Sequence, residues 1–365
     1  MSRYLSEKLR LISFICIVLV LYIHSNFHYA DAGEVGMMLN SYLQQVISGM
    51  IGGLAVPMFF AISGFLFFRG TEESIKIVYQ KLRRRVRTLV IPFILAAMFL
   101  PSVFLILKLS GLLDFMFNKS IQYLSDPWWL LLCRIFVFNL PDNVPFAVQL
   151  WFLRDLIVVM CFTPLLWRLK RMKFGLEILM LLLFVVSLFD FKYLPFKAFF
   201  WFCFGARFLP KLQYGLWATI GLLLYTIVSL LEIAFPNDVW NYFEIPMIAL
   251  GVLSTWAIYD KLVPESFSLT SHKKLDCLCQ GTFYIYLYQL PLLLIVGKLI
   301  MLVHPSSWTC ALAYLVSPWI TIASLVVIAL MLQKLFPRFY SVLVGGRVFN
   351  RSFISLNNTS VQLKI

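Results

Sequence analysis

Ten stretches of this chain stay apolar for about 16 to 23 residues at a time, and nothing else in the sequence constrains the fold as tightly. They are Leu11–Ala30, Val46–Phe68, Thr88–Lys108, Ala147–Trp167, Phe174–Phe189, Leu194–Leu209, Tyr214–Phe235, Phe243–Tyr259, Thr282–Val303 and Cys310–Leu332. About 20 apolar residues in a helix cross a hydrocarbon core ~30 Å thick. Backbone inside lipid must satisfy its own hydrogen bonds, which leaves helices or closed barrels. Barrel strands alternate in polarity and these stretches do not. The fold class is therefore all-α integral membrane, with about ten transmembrane helices. Composition agrees: 61% of residues are hydrophobic and 13% charged, against roughly half and a quarter in a soluble domain. The first stretch is too long, and its flanks too polar, for a cleaved signal peptide.

An even number of spans puts both termini on one side. With the N-terminus inside, the inner segments hold 24 of the 31 Lys and Arg residues. Cytoplasmic loops collect such residues, so the expected orientation is N-in and C-in. The same bias accounts for the net charge of +14, and no nucleic-acid-binding motif competes with it. Trp167 on the inside, and Trp240 and Trp308 on the outside, are placed to anchor span ends. The longest outer loop, Leu109 to Phe146, carries an apolar patch from Trp128 to Leu140 suited to an interfacial or re-entrant helix. Residues 1–335 form the membrane domain, and residues 336–365 read as a polar cytoplasmic tail. The seven cysteines fall mostly in apolar runs, and Cys277 and Cys279 lack zinc-site spacing. They are expected to be structural, and no metal site is expected.

Several polar residues interrupt the apolar pattern. The first span carries His24, followed by Ser25, Asn26 and His28. Ionisable groups in membrane helices are costly and usually face a cavity or pathway. His24 can act as a general base towards a hydroxyl or carry an acyl group itself; the plain alternative is a packing histidine bonded to a neighbouring helix. In the second span, VPMFFAISGFLFF, Ser63-Gly64 permits close approach of another helix or a ligand. At the inner mouth of the third span, RRRVRTLVIPF holds Arg84, Arg85 and Arg87. Guanidinium groups bind phosphates bidentately, and they also anchor spans to anionic lipid. The fourth span opens QLWFLRDLIVV, placing Trp151, Arg154 and Asp155 near its outer end. The two charges are neighbours on a helix and point about 100° apart, so each needs its own partner. In the ninth span, FYIYLYQLPLL, Gln289 beside Pro291 makes a polar notch near mid-membrane.

Taken together, ISFICIVLVLYIHS, VPMFFAISGFLFF, RRVRTLVIPF, LWFLRDLIVV, FFWFCFGARF and TFYIYLYQLPLL resemble, in order, the membrane acyltransferase 3 family of bacterial polysaccharide O-acyltransferases. The resemblance covers nearly all ten spans. It implies that His24 is essential for transfer and that Arg84 and Arg87 serve acyl-CoA. Two positions depart from the family pattern. Where many members carry an arginine eleven residues before the histidine, this chain has Ser13, with Arg10 one helical turn away. Where many have a second histidine, it has Gln289, which hydrogen-bonds but exchanges no proton near neutral pH.

The function implied is a membrane O-acyltransferase, most simply an O-acetyltransferase, of the bacterial inner membrane. No cofactor stays bound; acyl-CoA is the cosubstrate, its phosphates on Arg84, Arg85 and Arg87 and its pantetheine arm passing Ser63. The acceptor is a glycan or lipid-linked saccharide met by Trp151, Arg154, Asp155, Asn26 and Gln289. The other partner is the lipid bilayer, and no nucleic acid is involved. Two alternatives stand beside this reading. A glycolipid or metabolite transporter fits many helices with intramembrane charges, but the chain has no repeated half. An inactive family member fits Ser13 and Gln289.

Overall fold

Run length and breaker residues together decide where the helices begin and end. The structure is a computed structural model that describes residues 2–25, 40–71, 73–111, 127–136, 146–189, 194–304 and 306–350. Its helices are α1 (Arg3–His24), α2 (Ala55–Phe68), α3 (Ile75–Arg85), α4 (Ile91–Leu109), α5 (Trp128–Phe136), α6 (Trp151–Cys161), α7 (Thr163–Arg171) and α8 (Gly175–Ser187). They continue with α9 (Phe196–Phe208), α10 (Leu216–Ala234), α11 (Trp240–Leu262), α12 (Lys273–Tyr288), α13 (Leu292–Val303), α14 (Ser307–Leu335) and α15 (Pro337–Leu343). No strand occurs among the described residues.

Five helical stretches are long and apolar enough to cross a membrane: Asn40–Phe68, Ile75–Ile106, α10, α11 and α14. Two bent pairs raise the number to 7 if each counts as one span. The protein is thus an all-helical, multi-pass membrane chain. The remaining expected spans differ for simple reasons. α8 and α9 have 13 residues each, and at 1.5 Å per residue that is about 20 Å. α1 starts well before Leu11, because the Ser2 hydroxyl caps it by accepting the Leu5 N–H at 3.3 Å; its first half therefore carries Arg3, Glu7, Lys8 and Arg10. The expected fourth span bends by 59° between Cys161 and Thr163, just before Pro164. The expected ninth span, Thr282–Val303, is two helices meeting at 85°; Pro291 lacks the N–H that a continuous helix would need there.

The chain divides into two compact units, each discontinuous in sequence. Unit 1 is Met1–Arg84 with Asp155–Ser268, and unit 2 is Arg85–Arg154 with Leu269–Ile365.

In unit 1, α2 and α9 pack with their backbones in contact. A Cβ on Gly64 would run into the Phe202 carbonyl, and one on Gly205 into that of Ala61. Phe60, Phe67, Phe68 and Phe202 fill the buried space around this crossing. α1 lies against α2, and α10 packs on α11.

In unit 2, α13 packs along α14. The Ser306–Thr309 capping box starts α14, satisfying backbone donors that the helix itself leaves open. α12 packs on the C-terminal half of α14, with Gly281 close to Val326. Residues 337–350 fold onto the same unit. Tyr340 is fully buried and stacks on Phe349, and Gln333 holds Phe349 by both its N–H (2.8 Å) and its carbonyl (2.9 Å).

Candidate active site

His24 is the last residue of α1. The helix stops there as Ser25 turns its hydroxyl back to the Leu21 carbonyl (2.7 Å) and its N–H to the Tyr22 carbonyl. Ser48, in the π-helical turn before α2, donates to that same Tyr22 carbonyl at 2.9 Å. A Cβ on Gly52 would lie 3.1 Å from Ile23. The end of α1 is therefore pinned on both sides of His24, whose imidazole stays half-buried. The expected site residue Asn26 lies outside the described residues. Ser63 is half-buried on α2, and the adjacent Gly64 lets in a helix, α9.

The three arginines of the basic cluster differ in burial. Arg84, in the last turn of α3, is exposed, and so is Arg87, in the π-helical turn Val86–Val90. Arg85 is half-buried. It belongs to unit 2, as does Arg347, a residue that motif reading passed over. Arg347 donates from Nη1 to the carbonyls of Thr88 (2.8 Å) and Val344 (3.1 Å), and its guanidinium lies 4.0 Å from the centre of the Phe283 ring. Burial first, then the positive charge of Arg85, holds its pKa down to about 10.

Unit 2 also joins two stretches that the sequence set 130 or more residues apart. Tyr286 donates its hydroxyl to the Gln149 carbonyl (2.8 Å) and accepts the Leu153 N–H (3.2 Å). Gln149 in turn donates its side-chain amide to the Leu287 carbonyl at 3.3 Å. These bonds fasten the start of α6, with Trp151 and Arg154, to the end of α12, where Gln289 follows Tyr288. Trp151 and Arg154 are half-buried and Asp155 is buried, with 7% exposure. Each of the two charges has a partner, as their cost inside an apolar helix requires.

Gln289 is 0% exposed, and among the described residues both atoms of its amide lack a hydrogen-bond partner. So do the Tyr288 hydroxyl, Gln149 Oε1, Ser317 Oγ and Thr321 Oγ1, all buried. The hairpin register sets their level. Leu292 lies eleven residues before Val303, so in an antiparallel pair it stands opposite about residue 318 of α14. Ser317 and Thr321 therefore stand near the start of α13, which follows Gln289 by three residues. Buried polar atoms are nearly always paired in native proteins, and leaving one unpaired costs about 1–3 kcal/mol. A group of neutral, unpaired donors and acceptors in an apolar bundle has the chemistry to receive hydroxyls or amides. Ser317 and Thr321 carried a sequence signal: they flank Pro318, four residues apart, in an otherwise apolar run.

A third polar group, in unit 1, escaped motif reading. Lys8, 2% exposed, donates to Asp260 at 2.8 Å and lies 4.2 Å over the Trp256 ring. Tyr4 donates to the same carboxylate at 2.8 Å. All three partners are satisfied, which is the pattern of a structural pair. Among the described residues, no group of three or more His, Cys, Asp and Glu is placed to hold a metal ion.

Comparison with protein families matches an acyltransferase domain across residues 8–332. The chain belongs to the acyltransferase 3 family. No curated protein and no solved structure matches it. As an acyltransferase it must bring an activated acyl group to a nucleophile. The matched region contains His24, Ser63, the arginines of α3 and the π-helical turn, Trp151 to Asp155 and Gln289. Arg347 lies beyond it.

Proposed function

We propose that this acyltransferase moves an acyl group, most simply acetyl, from acyl-CoA to a hydroxyl of a cell-surface or lipid-linked glycan. In this reading the chain crosses the bacterial plasma membrane about ten times, with both termini in the cytoplasm. Arg84, Arg85 and Arg87 receive the donor's phosphates, and the pantetheine arm passes Ser63. His24 takes the proton from the acceptor hydroxyl as its oxygen attacks the thioester carbonyl, or carries the acyl group itself. The carbon–sulfur bond breaks, and the CoA thiolate leaves with a proton. Trp151, Arg154, Asp155, Asn26 and Gln289 orient the acceptor.

The observation that carries this reading is the buried Gln289 amide, which has no partner among the described residues, with the equally unpartnered Tyr288 hydroxyl and Gln149 Oε1 beside it. Their neutral donors and acceptors match hydroxyl groups and not an ion, and they adjoin the Trp151–Arg154 segment. The test is transfer of label from radiolabelled acetyl-CoA to host glycans by membranes containing wild type or His24→Ala. Transfer by the wild type that is lost in the variant at equal expression is expected; full transfer by the variant would show the histidine assignment to be wrong. A second reading, a catalytically silent member, rests on Ser13 and Gln289. It requires label to bind without transfer in either protein.

A further inference from the structure

The basic group on unit 2 is incomplete without the segment that follows α14. α15 begins with Pro337 at its first turn and ends in a turn with two left-handed glycines, Gly345 at φ 59° and Gly346 at φ 84°. Only glycine fits at Gly345 on a second count. A Cβ there would be 2.7 Å from Thr88 Cα and 2.9 Å from its carbonyl carbon. The turn is thus seated on the backbone of Thr88, three residues after Arg85. Beyond it, Phe349 is 2% exposed and its backbone is held at both ends by Gln333, while the Asn350 N–H reaches Gln280 at 2.8 Å. Arg347 is fixed between these two anchors.

Its fixing is unusual for a cation. Nη1 alone makes the bonds to Thr88 and Val344. Its charged neighbour is Arg85, a second guanidinium. Among the described residues neither arginine is paired with a carboxylate. Two half-buried like charges held together repel, and a low-dielectric setting strengthens that repulsion. An oxyanion between them would turn both terms favourable, since planar guanidinium groups chelate phosphate oxygens.

We propose that Arg85 and Arg347 form a phosphate-binding site completed by the segment after α14. This deepens the donor role given above to Arg85 and rests on that reading only for the identity of the ligand. The phosphate can arrive on a soluble nucleotide, such as the 3′-phosphorylated ADP of CoA, or on a lipid headgroup.

The test uses the full chain in nanodiscs of phosphatidylcholine, with adenosine 3′,5′-bisphosphate as the probe, and a parallel set containing phosphatidylglycerol. Binding by the wild type in the neutral discs, weakened about tenfold or more in both Arg85→Gln and Arg347→Gln and partly restored in Arg347→Lys, is the expected result. Arg85→Gln guards against misfolding: it removes the repulsion, so the probe-free protein should melt at a higher temperature while binding less probe. Stabilisation by phosphatidylglycerol that depends on both arginines, with no probe bound, keeps the site and overturns the nucleotide as its source. Equal behaviour of wild type and both variants towards probe and lipid overturns the site. Acetyl transfer is read separately on the same discs. Arginine-dependent binding without transfer would sink the enzyme reading alone, and transfer that survives Arg347→Gln with unchanged binding would sink the site alone.

Discussion

The contact between α2 and α9 gives the sharpest quantitative expectation. In Gly64→Ala the new methyl group would lie 2.8 Å from the Phe202 carbonyl carbon and closer still to its oxygen. Carbon atoms pack best about 3.5–4.0 Å apart, so the two backbones must separate by about 1 Å. No side chain can yield, because the obstacle is main chain. The separation loosens Phe60, Phe67, Phe68 and Phe202, all buried. Overpacking of this kind costs typically 1–3 kcal/mol, and the rigid obstacle puts Gly64→Ala at about 3 kcal/mol. Gly53→Ala is the matched control: its Cβ would meet nothing within 4 Å, and alanine is the better helix former by up to about 1 kcal/mol. Both variants and the wild type, purified in detergent, would be heated and the surviving monodisperse fraction measured by fluorescence-detected size exclusion. Gly64→Ala should lose that fraction at a clearly lower temperature, and Gly53→Ala should not. Equal thermal stability of the two variants would refute the backbone-contact argument.

Three other outcomes are expected. Gln289→Leu removes two unpartnered buried atoms, so the substrate-free protein should gain about 1–2 kcal/mol while acyl transfer falls at least tenfold; lowered stability would mean that the amide is a structural group. Asp260→Ala strands the Lys8 ammonium and should cost about 2–3 kcal/mol, below the range for a fully buried pair because the Asp260 side chain is 27% exposed. Adding Lys8→Met should recover most of that loss, which a thermal scan of the double variant reads directly. Trp167→Phe deletes the indole N–H that meets the Thr71 carbonyl at 2.6 Å and should cost about 1–2 kcal/mol, with transfer by the folded fraction unchanged.

How much of this the sequence disclosed depends on whether the cause was local. The polar notch at Gln289 beside Pro291 was legible, because a lone amide stands out where it sits, but the 85° bend that splits the expected span there was not. Gly64 read as a point of close approach, but whether a helix or a ligand would fill it depended on Gly205, 141 positions away. Trp167 read as an interfacial anchor and is instead buried, its exposure 8% and its N–H on Thr71; hydropathy cannot tell a span end in lipid from one covered by its own protein. Lys8 read as one more positive-inside charge, since its partner is 252 positions away. Arg347 read as part of a polar tail, because its meaning comes from the glycine turn that seats it on Thr88. His24, Ser63 and Arg154 read as polar interruptions, and their roles stand as proposals.

The discontinuity of the two units bears on how the chain is made. Synthesis leaves unit 1 at Arg84, starts unit 2, abandons that at Arg154, returns to unit 1 until Ser268, and only then resumes unit 2. At about 5–20 residues per second, α2 leaves the ribosome several seconds before α9 can cover its glycine face. The interval until Ser268 is roughly 10–40 s. During it the nascent chain holds two units, both incomplete in sequence. No single cut in the loops yields a fragment containing one whole unit and nothing of the other. Residues 337–350 come last of the described chain, so the arginine that meets Arg85 is added after every long apolar helix is in place. A ribosome stalled between Leu335 and Arg347 leaves a membrane protein with every long apolar helix made and its second guanidinium missing.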